Sequence, residues 1–142
     1  MSGAGQRKYY IRHCLYAAGT CLLLATTMAH AHHSFVAQFD VEKEVVLQGT
    51  VTKVEWLSPH VYIYLDVTAA DGSRSVWKFE MAAPQALQNR GWNRSLLNIG
   101  DIVEVDGALA RDGSQLVNAY AVLFVDSGRR LSASTTQTPS RE

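Results

Sequence analysis

The sequence predicts an all-β domain with a small α component, and three observations lead to that prediction. From residue 44 onward most segments alternate apolar and polar side chains, as strands do. Three such segments precede a short helical pattern and two follow it, and the first is long with a glycine near its middle. This order is typical of a five-stranded OB-like Greek-key barrel with one short helix between strands 3 and 4. A β-sandwich is the alternative, but it usually has about seven strands.

The first strand is predicted over residues 44–56, "EVVLQGTVTKVEW". Its apolar side chains alternate up to Val51 and then change phase, which indicates a bulge near Thr52–Lys53. Gly49 lies inside this strand, where a missing side chain marks sharp curvature or close approach of another backbone.

The second and third strands are predicted over residues 60–67 and 75–81, joined by a hairpin turn at "ADGS", residues 70–73. Asp-Gly pairs favour such turns because glycine adopts positive φ angles without steric cost. Alternation turns one row of side chains inward, including Val61, Ile63, Leu65, Val67, Trp77, Phe79 and Met81. The outward row of the second strand is His60, Tyr62, Tyr64 and Asp66.

A short helix is predicted within residues 83–92, since Pro84 stands near its start and Gly91 at its end. Two further strands form a second hairpin across "RDGS", and they span residues 101–110 and 115–125.

The first 31 residues are typical of a secretory signal peptide. Residues 1–13 carry Arg7, Lys8 and Arg12 without any acid, and an uncharged apolar run leads to Ala29-His30-Ala31. A basic start, an apolar middle and an A-x-A site are the three parts of such a signal. A membrane anchor is the alternative, but sixteen uncharged residues fall short of the roughly twenty that span a bilayer.

The predicted organisation therefore has three parts. Residues 1–31 are the signal, residues 32–131 the barrel domain, and residues 132–142 a disordered tail that lacks an apolar period. Cleavage is expected after Ala31, with Ala29 as the alternative, and it leaves a periplasmic or secreted protein without a stable membrane anchor.

Both cysteines, Cys14 and Cys21, lie inside the signal. Cys21 is not expected to carry a lipid, because Thr20 precedes it and the apolar run continues beyond it. The mature chain then has no cysteine, which excludes a disulfide, a thiol nucleophile and a thiolate metal site.

The mature chain carries ten Lys and Arg against thirteen Asp and Glu, so its net charge is about −3. Nucleic acid is excluded as a partner, since phosphate binding needs a basic surface.

Histidines suggest a copper site. Cleavage after Ala31 makes His32 the first residue, followed by His33, and the amine and Nδ1 of an N-terminal histidine chelate one ion together. His60 at the start of the second strand supplies a further imidazole, and such nitrogen sets suit Cu(II). Cleavage after Ala29 instead places a histidine third, which is also a copper-binding arrangement. The alternative is that these histidines have a structural role or none.

Three further residues are candidate ligands for the same site. Met81 is a soft axial candidate, but its strand phase points inward. Zinc needs a fourth ligand, for which Asp40 and Glu55 are the nearest candidates.

The outward aromatic residues form a second candidate site. Tyr62 and Tyr64, together with Trp92 from the connection after the helix, are expected on a face where OB barrels bind oligomers by ring stacking. The alternative is that tyrosines simply favour half-buried strands. The acidic charge directs any ligand here towards peptides, glycans or a partner protein.

No catalytic constellation is apparent. Asp71 and Asp112 are explained by hairpin turns, and Ser34 beside His33 has no third orienting group. The sequence therefore predicts a small periplasmic binding module and no enzyme.

Four stretches carry a resemblance to a known family: "HHSFVAQFD", "GTVTKVEWLSPHVYIYLDV", "WKFEMAAPQALQNRGWNRSLLNIGD" and "VNAYAVLFVDSGRRL". Together they resemble an uncharacterised family of exported bacterial proteins, the domain of unknown function numbered 6152. The family often has Asn where this chain has Ser58. The resemblance implies an exported single-domain protein and supplies no activity.

Overall fold

The structure is a computed structural model and describes residues 35–135. The chain divides into two compact units, Met1–Val36 and Ala37–Glu142, and all elements named below belong to the second. Residues 35–38 are helical. The described helices include none that is long and apolar enough to cross a membrane.

Six strands and one short helix follow in chain order. They are β1 (Phe39–Trp56), β2 (Val61–Thr68), β3 (Arg74–Glu80), α1 (Pro84–Gln88), β4 (Ile102–Ala110), β5 (Leu116–Phe124) and β6 (Arg129–Ser132). The strands lie in the order β3-β2-β1-β4-β5-β6, and β3 also pairs with β5. This parallel pairing closes the first five strands into a ring, which confirms the predicted OB-like arrangement.

β1 reaches both of its neighbours because it is long and bends. Its first part pairs with β4 and its second part with β2, with a register shift between Val51 and Lys53. The predicted bulge is thus confirmed. A Cβ atom on Gly49 would lie 2.7 Å from the carbonyl oxygen of Asp66, so the backbones pass too closely for any side chain there. β1 begins at Phe39, earlier than predicted, because residues before the alternating segment also pair with the end of β4.

Both predicted Asp-Gly turns are present. Gly72 and Gly113 have φ angles of 83° and 78°, the left-handed region that glycine enters freely. Asp71 and Asp112 accept hydrogen bonds from the backbone N–H groups of Ser73 and Ser114, which stabilise the turns. The serine hydroxyls, followed by these backbone N–H groups, lower the pKa of each aspartate.

The core fills the inside of the ring with the inward rows of all five strands. α1 begins at Pro84 and connects the end of β3 to the segment before β4, and its Leu87 is fully buried. The helix has five residues and is shorter than predicted, because residues 89–91 of the predicted segment form a turn.

The C-terminal region is more ordered than predicted. β6 pairs with β5, and Ala133 and Ser134 beyond the expected boundary at Leu131 are buried. The Ala133 carbonyl accepts the Ala82 N–H, which ties this segment to the end of β3. β6 has a single apolar residue, so its sequence alone gives no strand signal. Residues 136–142 of the predicted tail lie outside the described residues.

Candidate functional site

The outer surface of β1, β2 and β3 carries two rows of side chains, which we call the tyrosine face. In one row Tyr62 of β2 lies between Glu55 and Glu80 in the strand register; in the other, Tyr64 lies between Lys53 and Lys78. Side chains on directly opposed strand positions contact each other, so acids and lysines surround both phenol rings. The predicted outward orientation of Tyr62 and Tyr64 is therefore found in the structure.

Tyr64 is held by the β1 side of the face. Its hydroxyl donates a hydrogen bond to Glu55 Oε2 at 2.9 Å, and Lys53 Nζ lies 2.5 Å from Glu55 Oε1. The hydrogen bond from Lys53, followed by that from Tyr64, lowers the pKa of Glu55. Burial raises the pKa of Tyr64, and its bond to Glu55 adds to this. This half of the face is a closed set of charge-assisted hydrogen bonds.

Tyr62 is held by the β3 side. Its hydroxyl donates to Glu80 Oε2 at 3.1 Å. Burial, followed by the Glu80 carboxylate, raises the pKa of Tyr62 to about 12. Lys78 Nζ lies 3.9 Å from the centre of the Tyr62 ring and 6.0 Å from that of Tyr64. Cation–π attraction thus holds this ammonium over the face, and within residues 35–135 it forms no salt bridge with a carboxylate.

His60 lies at the edge of the face, just before β2. Its Nδ1 is 3.2 Å from the carbonyl oxygen of Met81. A carbonyl only accepts, so the contact places a proton on Nδ1, and Nε2 has no hydrogen-bond partner among residues 35–135. One third of the His60 side chain is exposed, and its ring meets the Tyr62 ring edge-on at 6.5 Å. The ring is therefore oriented by the protein and accessible.

Glu80 connects His60 and Tyr62 to the interior, and sequence reasoning missed it. The residue is only 8% exposed, and its Oε1 lies 3.9 Å from His60 Nδ1 and accepts a hydrogen bond from Asn118 at 3.4 Å. Thr135 in turn donates to Asn118 Oδ1 at 3.3 Å. Strand alternation places Glu80 on the side of Lys78, but only the β3–β5 pairing brings Asn118 beside it.

Trp92 does not belong to the tyrosine face, contrary to the sequence-based expectation. It is 3% exposed, its indole N–H donates to the Ser132 carbonyl at 2.8 Å, and its ring packs against Phe124 at 5.7 Å. The indole is in the core because β6 supplies the carbonyl that its N–H requires.

The other proposed metal ligands are dispersed. The Met81 side chain is fully buried, Asp40 pairs with Lys43 and Arg111, and Glu55 is engaged on the tyrosine face. Residues 35–135 contain no group of three or more His, Cys, Asp or Glu side chains suited to a metal ion. His32 and His33 lie outside the described residues, so of the predicted copper ligands the structure locates His60.

Comparison with known proteins identifies a family but no characterised relative. No curated protein matches the chain. The profile of a family of unknown function, DUF6152, matches residues 20–118, which include β1, β2, β3, α1 and β4 with the candidate site. Because this match covers more than half of the sequence, the chain belongs to the DUF6152 family.

Proposed function

We propose that the mature protein is a small periplasmic or secreted binding module that holds copper through His60 and the histidines at its processed N-terminus, His32 and His33. The observation that supports the proposal is the hydrogen bond between His60 Nδ1 and the Met81 carbonyl. Histidines that bind metals through one nitrogen commonly donate the other N–H to a carbonyl or carboxylate, which fixes the ring. His60 has this arrangement, with Nδ1 directed at the Met81 carbonyl.

The chain between the processed N-terminus and β1 is long enough for this role. Asp40 pairs with Leu109, Leu109 with Val117, and Val117 with Phe79, so three strand spacings of about 4.8 Å separate Asp40 from β3. Met81, whose carbonyl faces His60, follows two residues later. Because residues 35–38 are helical and rise only about 1.5 Å each, the eight residues from His32 to Asp40 span at most about 19 Å. This reach exceeds the roughly 16 Å of the path across the strands and along β3.

Copper titration into the correctly processed protein tests the proposal. The protein must begin at His32 without tag or extra methionine, because an added residue removes the free amine from the chelate. We expect sub-micromolar Cu(II) affinity that falls at least about tenfold in His60→Ala, because one imidazole ligand is lost.

Two controls separate the ligands. A chain with one extra residue before His32 should lose affinity without changing His60, while Tyr64→Phe should bind as the parent does. Micromolar or weaker binding that is unchanged in His60→Ala contradicts the proposal, and intact mass with N-terminal sequencing of native protein establishes whether the cut is after Ala31 or Ala29.

A second candidate function is binding of a peptide, glycan or partner protein on the tyrosine face. The observation in its favour is Lys78, an ammonium held over Tyr62 and paired with no carboxylate within the described residues. An anionic group of the ligand would supply that partner. The ring of Tyr62 is covered by Lys78, so recognition would begin with charge rather than with ring stacking.

A further inference from the structure

Among residues 35–135, His60 is the one basic side chain within ion-pair distance of the buried Glu80 carboxylate. The two hydrogen-bond donors to Glu80, Tyr62 and Asn118, are neutral, and no Lys or Arg within residues 35–135 lies in salt-bridge distance of it. A buried charge that lacks a compensating charge is costly. A neutral His60 ring contributes no compensation, whereas a cation bound to that ring would.

The position of Glu80 relative to His60 is favourable for such compensation. The carboxylate lies behind the ring, 3.9 Å from Nδ1, while Nε2 is the nitrogen that has no partner in the part of the chain that the structure describes. Positive charge that an ion transfers to the imidazole therefore arises close to Oε1. In metal sites a carboxylate next to the ligand histidine increases its affinity for the ion. The Met81 carbonyl already orients the His60 ring, and Glu80 at 3.9 Å makes no hydrogen bond to it, so Glu80 acts through its charge.

The carboxylate is itself held in place from three elements. Tyr62 of β2 binds Oε2, Asn118 of β5 binds Oε1, and Thr135 after β6 binds the Asn118 amide oxygen. These contacts fix Glu80 before any ion arrives, so no ordering cost is added on binding.

We infer that Glu80 is the positioning residue of a cation site at His60, where its buried charge strengthens binding of a divalent ion through the imidazole. The inference rests on the proposed copper-binding function, and it assigns to the site a residue that makes no direct bond to the ion. The inference also implies that the site binds Cu(II) more tightly relative to Cu(I) than it would without Glu80. A fixed negative charge stabilises the more highly charged ion more.

The test compares Glu80→Gln with Glu55→Gln in the correctly processed protein. Both substitutions remove one carboxylate of the tyrosine face that accepts a tyrosine hydroxyl, but only Glu80 lies behind His60. We expect Glu80→Gln to lower Cu(II) affinity about 10- to 100-fold, the usual range for such residues. Glu55→Gln should stay within about twofold of the parent.

The reduction potential of the bound copper is the second measurement. It would not change if Glu80 only stabilised the fold. If Cu(II) binding falls tenfold more than Cu(I) binding, the potential rises by about 59 mV. Glu80→Asp, which keeps the charge, should bring the potential back towards that of the parent. Should Glu80→Gln fail to fold, Tyr62→Phe removes one support of the carboxylate and is expected to lower the affinity in the same direction by a smaller factor.

The outcomes separate the two proposals. If His60→Ala leaves the copper affinity unchanged, the proposed function is wrong and this inference falls with it. If His60→Ala lowers the affinity while Glu80→Gln changes neither affinity nor potential, the function stands and the role of Glu80 is refuted.

Discussion

Replacing Trp92 by phenylalanine tests whether this residue stabilises the core or binds ligand. The indole N–H donates to the Ser132 carbonyl at 2.8 Å, and the ring packs against Phe124 inside the core. Phenylalanine removes this hydrogen bond, and since Ser132 is exposed to water the loss is that of an ordinary hydrogen bond, about 0.5–1.5 kcal/mol. It also removes part of a buried ring, which costs roughly 1 kcal/mol more. We therefore expect Trp92→Phe to lower the free energy of unfolding by about 1.5–2.5 kcal/mol.

Urea and thermal unfolding followed by far-UV circular dichroism measure this loss. A domain of this size loses about 4–8 °C of melting temperature per kcal/mol, so the midpoint should fall by at least about 6 °C. Trp77→Phe is the matched control, because the half-buried Trp77 donates only to the nearby Ser75 hydroxyl. Its loss should be about 1 kcal/mol.

Ligand affinity completes the experiment. The folded Trp92→Phe protein should keep the copper affinity of the parent, measured below its melting temperature. A melting temperature within about 2 °C of the parent value, or a loss of affinity in a fully folded variant, would refute the assignment of Trp92 to the core alone.

Two further predictions concern the tyrosine face. The pKa of Tyr62 is about 12 in the folded protein and 10.0 ordinarily, so the unfolded chain releases this proton first. The contribution of Tyr62 to the free energy of unfolding is complete below about pH 10 and is lost as the pH rises to about 12. Urea unfolding across this pH range should show the decline in stability. In Tyr62→Phe the share of the decline that is due to Tyr62 should be absent. If the face binds an anionic ligand, Lys78→Gln should abolish retention of envelope material, whereas Lys53→Gln should retain it, because Lys53 is already paired with Glu55. This function would be excluded if Lys78→Gln, and the double variant Tyr62→Ala with Tyr64→Ala, retained as much envelope material as the parent protein.

Local sequence patterns predicted most of the strands. Alternation located β2 and β3 and the outward direction of Tyr62 and Tyr64, and the change of phase after Val51 located the bulge in β1. The Asp-Gly pairs predicted both hairpin turns. Each of these features depends on contacts between residues close in sequence or on the two-residue period of a strand, so the sequence contains the information directly.

The details of the candidate site depend on contacts between distant residues. Trp92 meets Ser132 across 40 positions of sequence, and Glu80 meets Asn118 across 38. β6 has too few apolar residues to be recognised, yet it supplies the carbonyl that keeps Trp92 in the core. No local pattern predicts these pairings, because they arise only when β3 closes on β5 and β6 adds to its edge.

The sequence by itself thus determined the strand order, the turns and the face on which His60 and the tyrosines lie. The tertiary structure alone decided which groups hold them: the Met81 carbonyl for the His60 ring, and a buried Glu80 behind it. The physical reason is that alternation defines the direction of a side chain, whereas its partners are determined by how separate strands pair in the closed ring.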